Sequence, residues 1–314
     1  AKSQFLEQFT QLYKNNKTDA AALHNLPTAY DYIRLGHPLS CVLEWVVANL
    51  NNQKSENVIS FSSSTTPILA VLRKNLLTNK NTEIFYTNEL PAFFDAEVIK
   101  NIYGYKFDLK QVGSVEEIAK TNDTTIFISQ QDDICNFELT PTVDFFINVN
   151  AHLGSVLLVN GEQNESYVSE IQHVRRRETI AMTPANTLAA LNHLVKQSSI
   201  EKDNTIETNK ALVLDSIAAI TGAKTKAVVA SSGLSMQYAI VMGLIHDAIE
   251  NHKGKAIKIV VPPNCYGGTN DQARRIAACL DNVEVMDLPV DGDNDMVQSI
   301  DIVLEKIANE DAVP

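Results

Sequence analysis

Short apolar blocks alternate along the chain with longer stretches in which apolar residues recur at helical spacing. The strand-like blocks are 57-NVISFS-62, 82-TEIFYT-87, 124-TTIFIS-129, 154-GSVLLVN-160, 226-KAVVAS-231 and 257-IKIVV-261. Helical spacing predicts helices over 39–51, 67–77, 187–196, 212–220 and 234–250, and the opening AKSQFLEQFTQLYKNN reads as an amphipathic helix. Nearly continuous apolar strands joined by helices predict an α/β fold with a mostly parallel sheet. A parallel strand is buried on both faces and needs a crossover to reach its neighbour. A Ser-Ser pair followed by the polar run Glu201 to Asn204 places a boundary near residue 200, giving units 1–200 and 201–314.

The two units repeat one order of elements. In the first, 42-VLEWVVANL-50 is followed by a strand ending FSSS, a helix, a strand ending FYTNELPAFF, the segment KFDLKQ and a helix over 114-SVEEIAKT-121. In the second, 213-VLDSIAAIT-221 is followed by VVASSGLS, a helix, IVVPPNCYGG, VEVMDLPV and 299-SIDIVLEKIANE-310. Pairing Leu43 with Leu214, Ser63 with Ser232, Ile84 with Ile259 and Asp108 with Asp287 gives offsets of 169 to 179, a drift of loop size only. The first copy runs from its last helix into the strand 126-IFIS-129, whereas the second reaches NEDAVP and stops. The sequence is therefore expected to end inside a fold.

A net charge of −12 argues against a general nucleic-acid binder, which needs clustered Lys and Arg to meet phosphates. The one basic run, Arg175 to Arg177, reads as a solvated helix end. No apolar run reaches the about 18 residues of a membrane span and no apolar signal core opens the chain, so the default expectation is a cytoplasmic protein without a membrane partner. The four cysteines lack paired spacing and read as free thiols. The histidines show neither HxH nor HExxH spacing, so no metal site is expected; His246 and His252 read as facing water. In 291-DGDNDM-296 the glycine comes too early for a calcium loop and the bidentate Glu is missing, which leaves a turn with a helix cap at Asp293 or Asn294.

Candidate chemistry gathers in the second copy. In 228-VVASSGLSMQYAI-240 a Ser-Ser-Gly turn joins an apolar block to a helix. Amides at a helix start, with a glycine admitting close approach, make a phosphate cradle to which Ser231, Ser232 or Ser235 would add hydroxyls; the same serines also suit an ordinary N-cap. The chain has no GxxxxGK[ST], GxGxxG or GxSxG motif. The next βα loop, NCYGGTN, belongs on the same rim of a parallel sheet. There Tyr266 either lies against an aromatic ligand or packs as a loop anchor, and Gly267 and Gly268 give the chain room to turn.

Together, SSGLS and CYGGT resemble the Cys/Met-metabolism family of pyridoxal-phosphate-dependent enzymes, the fold type I group of cystathionine synthases, cystathionine lyases and methionine lyases. The resemblance covers about 210–314 and implies a PLP-dependent transferase-like large domain, partly duplicated, with pyridoxal 5'-phosphate as cofactor. It assigns Ser232, Gly233 and Leu234, the last in place of the family's Met, to the cofactor phosphate, and Tyr266 to the pyridoxal ring. Residues 30-YDYIRLGHPLSCVLEWVVANL-50 resemble the start of the same family through Tyr32, Arg34, Gly36, Pro38, Leu43 and Glu44, with His37 in place of Asn. In that family the Tyr and Arg reach the phosphate of a neighbouring subunit.

The copies depart from the family in complementary ways. In the first, FSSST lacks the glycine, LPAFF lacks the tyrosine, and Phe145 or Phe146 stands where the family has its Schiff-base lysine. In the second, IEKDNTIETNKALVLDS has neither the Tyr nor the Arg. The expectation is an intramolecular pseudo-dimer, or a homo-oligomer, in which Tyr32 and Arg34 complete one cofactor site at Ser232, Gly233, Leu234 and Tyr266. The competing expectation is that Arg34 merely pairs with a nearby carboxylate and the halves pack in some other way. No lysine here takes the Schiff-base role, since the family places it well beyond the YGGT loop, and Lys224 and Lys226 read as solvated. The resemblance implies a whole enzyme that performs β- or γ-elimination or replacement on a cysteine- or homoserine-type amino acid, the chemistry of transsulfuration. A non-catalytic relative acting as a binding or scaffold protein is the alternative, and a desulfurase-like branch is a third reading.

Overall fold

Strands buried on both faces build the first sheet of the computed structural model, which describes residues 2–200, 205–223, 226–290, 292 and 295–314. The first unit contains α1 (Lys2–Lys14), α2 (Ala20–His24), α3 (Pro38–Leu50), β1 (Val58–Phe61), α4 (Thr66–Leu77), β2 (Thr82–Tyr86), α5 (Ala96–Asn101) and β3 (Asp108–Gln111). It continues with β4 (Thr124–Gln130), β5 (Phe145–Asn150), β6 (Gly154–Val159), α6 (Val168–Glu178) and α7 (Pro184–Lys196). The strands form one six-stranded sheet of order β1-β6-β5-β4-β2-β3. The pairs β2–β3, β2–β4 and β4–β5 are parallel, and β6 runs antiparallel to both its neighbours. The fold is thus mixed α/β with a mostly parallel sheet.

Period-two alternation sends Ile59, Phe61, Ile84, Ile126, Ile128 and Ile147 into one core and Val58, Phe85, Phe127, Phe146 and Leu158 into the other. The first core is covered by residues of α4 and α6, the second by residues of α3 and α7. β5 is a strand that the sequence reading did not mark. FFINVN runs almost directly into the next strand, and the short connection is what an antiparallel hairpin permits. Phe145 and Phe146 are both buried within its ladder.

The second unit contains α8 (Ile206–Thr221), α9 (Gly233–Asn251), β7 (Ile257–Val261), α10 (Gly267–Ala277), β8 (Val283–Asp287) and α11 (Met296–Asn309). β7 and β8 are parallel, and Val313 bridges Ile257 in parallel on β7. The order β8-β7-Val313 has the sense of β3-β2-β4. Register moves one anchor: Glu83 pairs with Asp108, and Lys258 pairs with Glu284, so Glu284 rather than Asp287 takes the place of Asp108.

Two predicted elements fail. Residues 226–230 form no strand, and Val228 and Val229 are exposed. Their counterpart β1 is held by β6, and no described strand does that for them. The helix over 114–121 shrinks to the 3-10 turn Val115–Glu117. Val115 and Ile118, three apart, both enter the core, which a three-residue turn achieves without further helix. The boundary run 201–204 lies outside the described residues, as do Asp293 and Asn294. The described cap of α11 is Asp295, in a capping box with Gln298.

The units pack on each other. Val98, Ile102 and Tyr103 of the first share an apolar cluster with Tyr238, Met242, Ile245, Ile276 and Leu280 of the second. Beneath it Arg73 of α4 is buried, ion-paired with Glu178 of α6 and donating to the hydroxyls of Tyr105 at 3.3 Å and Tyr238 at 3.2 Å. Among the described residues no helix is long and apolar enough to cross a membrane, no group of three ligating side chains could hold a metal, and all four cysteines are free.

Candidate functional site

Ser232 caps α9 in an extended conformation, and with Ser235 it forms a reciprocal box. Ser235 N donates to Ser232 Oγ at 3.1 Å and Ser232 N donates to Ser235 Oγ at 2.8 Å. The box leaves the amides of Gly233 and Leu234 outside it, and neither has an acceptor among the described residues. Free amides at a helix start carry the positive end of the helix dipole and favour an anion.

The second loop abuts the first. Gly268, in the opening turn of α10, is buried, and a Cβ placed on it would meet Leu234 Cδ1 at 2.8 Å, Tyr266 Cε1 at 2.6 Å and Arg177 Nη1 at 2.9 Å. Glycine lets these three side-chain ends approach, and any Cβ would push at least one of them aside. Gln272, buried on α10, donates to the carbonyls of Leu234 at 3.0 Å and Arg177 at 3.1 Å, which ties the start of α9 to the end of α6. Tyr266 is 61% exposed rather than packed as a loop anchor.

The first unit delivers its residues to the same place. Arg34 Nη2 donates to the Tyr266 hydroxyl at 3.3 Å across 232 positions of sequence. Its guanidinium carbon lies 4.6 Å from the centre of the Tyr32 ring. Its carbonyl accepts from Ala181 N at 3.0 Å, and His37, the N-cap of α3, contacts Met182 O through Nε2 at 2.8 Å, so the 30–37 loop rides on the segment after α6. Among the described residues Arg34 has no carboxylate partner, contrary to the competing expectation. Tyr32, Arg34 and Tyr266 are therefore brought together, and Leu234 sits beside Tyr266 through Gly268. No hydrogen bond or ion pair joins Ser232 or Gly233 to Arg34.

The basic run is not a solvated helix end. Arg175 is fully buried, donating to Glu44 Oε1 at 2.7 Å, Ser60 O at 2.9 Å and the Tyr30 hydroxyl at 3.2 Å. Lys2 Nζ reaches the other oxygen of Glu44 at 2.6 Å. Burial alone would raise the Glu44 carboxyl, but Lys2 and Arg175 beside it hold it down to about 2. Arg176 lies over the Tyr32 ring at 4.9 Å. Arg177 Nε sits 2.9 Å from Asp271 of α10, an ion pair without the alignment of a hydrogen bond. His173 meets the same carboxylate at 2.9 Å, and Arg275 of α10 pairs with Glu170. Partial burial opposes the charge on Asp271, but His173, Arg177 and Arg275 around it depress its carboxyl.

Sequence reading missed Arg176, Arg177, Asp271 and Gln272. For Arg176 and Arg177 the signal was the basic run itself, whose three members face three directions on a helix, about 100° apart. Lys226 is exposed, and Lys224 lies outside the described residues. His246 forms a loose pair with Glu250 at 3.3 Å, and His252 is exposed.

No protein-family model matches the chain, and no curated protein does. Among solved structures it is similar to metB from Corynebacterium glutamicum, at 18% identity over 61% of this chain and 60% of that one, with a TM-score of 0.36. It is similar to cystathionine gamma-lyase from yeast, at 15% identity over 68% of this chain and 62% of that one, with a TM-score of 0.37. It is also similar to L-threonine-O-3-phosphate decarboxylase from Porphyromonas gingivalis, at 10% identity over 67% and 73%, with a TM-score of 0.33. Aminotransferases are also among the similar structures. This chain spans less than two thirds of the metB and lyase chains. At these scores the likenesses assign no site residue.

Proposed function

We propose that this chain holds the phosphate of pyridoxal 5'-phosphate between its two units, as part of an enzyme acting on a sulfur amino acid or an activated homoserine. The observation that carries the reading is the hydrogen bond from Arg34 to Tyr266, which joins residues of opposite units beside two unused helix amides. In this reading Gly233 and Leu234 donate their amides to the phosphate, and the Ser232–Ser235 box fixes their direction. Arg34 supplies compensating charge and orients Tyr266 through its hydroxyl, and the Tyr266 ring covers one face of the cofactor. Tyr32 supports the Arg34 guanidinium from its ring face. Bound there, the cofactor supplies an electron sink for carbanion chemistry at the amino-acid α-carbon. The contacts of the site include no lysine among the described residues, so no proton-transfer step is assigned to this chain.

Calorimetric titration tests the reading without activity. The chain should bind pyridoxal 5'-phosphate and not pyridoxal, and Arg34→Ala should weaken binding about tenfold, as loss of one charge-assisted hydrogen bond predicts. Equal affinity for pyridoxal and its phosphate, or an Arg34→Ala variant that binds as tightly as the unsubstituted chain, would sink it.

A further inference from the structure

Arg176 stands apart from the other two members of the basic run. Arg175 rests on Glu44 and Arg177 on Asp271, whereas Arg176 has no carboxylate partner among the described residues. Arg34 has none either. Both guanidinium groups lie over one ring, 4.6 Å and 4.9 Å from the centre of Tyr32, so two uncompensated cations sit within about one Debye length of each other. The ring face offers each a weak attraction but does not neutralise them. Glu178, the nearest acid along the run, is buried and committed to Arg73. Arg34 in turn reaches the Tyr266 hydroxyl at 3.3 Å.

We infer that Arg176 is a second cationic ligand at this site, and that the site is matched to a doubly charged phosphate monoester rather than to a singly charged anion. The inference rests on the phosphate reading above and extends it to a residue that neither the motifs nor the comparisons single out. One guanidinium balances a carboxylate. Two balance a monoester, which carries about −1.5 to −2 charges at neutral pH and loses its second proton near pH 6. Affinity should therefore climb as pH rises from 5.5 to 7.5, and the climb should depend on Arg176.

Titration calorimetry of the 314-residue chain with inorganic phosphate and with pyridoxal 5'-phosphate tests this. Arg176→Gln should weaken both probes about tenfold and flatten the pH dependence, while its thermal midpoint stays with that of the unsubstituted chain. Arg176→Lys, which keeps the charge, should hold most of the affinity. An Arg176→Gln variant that binds both probes as tightly as the unsubstituted chain overturns the inference and leaves the Arg34 reading standing. A loss confined to pyridoxal 5'-phosphate and absent for inorganic phosphate also overturns it, since Arg176 would then contact the ring. If the unsubstituted chain binds neither probe, the phosphate reading itself fails.

Discussion

Two helix starts, one in each unit, receive the chain from corresponding apolar segments and treat their amides differently. At α4, Ser63 Oγ accepts from the amides of Thr65 and Thr66, Pro67 has no N–H, and Ile68 N donates to Thr65 O. Every first-turn donor is consumed or absent. At α9 the serine box takes two donors and leaves two, those of Gly233 and Leu234. The loops that follow differ likewise. Phe93 sits at φ 68° and is 99% exposed, with no polar atom to anchor it, whereas Tyr266 places its hydroxyl on Arg34. Filling the donors of a helix start closes it to an anion.

The flanking helices show the reverse. α3 buries Glu44 under α1 and against Arg175, while its counterpart α8 has no buried residue and exposes Asp215. The first unit keeps the packing, and the second keeps the open donors.

The largest expected effect is that of Arg73→Ala, which removes a buried ion pair within the first unit together with a hydrogen bond to Tyr238 of the second. It leaves Glu178 buried without its cation and frees Tyr238, so denaturant unfolding should show a loss of about 3–5 kcal/mol. A loss below about 1 kcal/mol would mean that the buried pair contributes no more than an exposed one.

Next is the contrast between Glu44 and Asp215. The Glu44 carboxyl is depressed from the ordinary 4.5 to about 2. Its contribution is complete above pH 4.5 and disappears as pH falls through about 2, because the unfolded chain takes up the proton first. Unfolding free energy measured across that window should fall by about 3 kcal/mol on account of this group. Glu44→Gln should remove that component and lower stability at neutral pH, because Lys2 and Arg175 stay buried without a carboxylate. Asp215→Asn, at an exposed position, should leave stability at neutral pH unchanged, and an equal loss in both variants would erase the contrast.

The smallest effects lie in the loop of the second unit. A Cβ on Gly268 must displace the side-chain ends of Tyr266, Leu234 or Arg177, so Gly268→Ala should weaken pyridoxal 5'-phosphate binding about tenfold and cost about 0.5–1.5 kcal/mol of stability. Gly267 has nothing within 4 Å of its would-be Cβ, and Gly267→Ala should stabilise by about 0.4–1 kcal/mol with binding unchanged. Paired melting curves and titrations separate the two glycines.

Much of the fold was legible in sequence because burial on both faces leaves continuous apolar blocks, and β1, β2, β4, β6 and β7 were read from them. Residues 226–231 misled because an apolar block becomes a strand only where a neighbour completes its ladder. Local periodicity does not report that neighbour. Of the candidate site, the residue types at Ser232 to Leu234 and Tyr266 carried their own signal, a small-residue turn and an aromatic beside two glycines. Tyr32 and Arg34 could be tied to them only through a resemblance, because nothing in local spacing links residues 232 positions apart.

The sequence by itself determined the alternation of strands and helices, the serine box at α9 and the need for small residues at the α10 start. Those follow from backbone donors and side-chain size within a few residues. Tertiary structure alone decided that Arg34 meets Tyr266 and that the three arginines of α6 divide among a buried carboxylate, an aromatic ring and the opposite unit. Guanidinium groups are long and equally charged, so their roles depend on which partners the packing brings within reach.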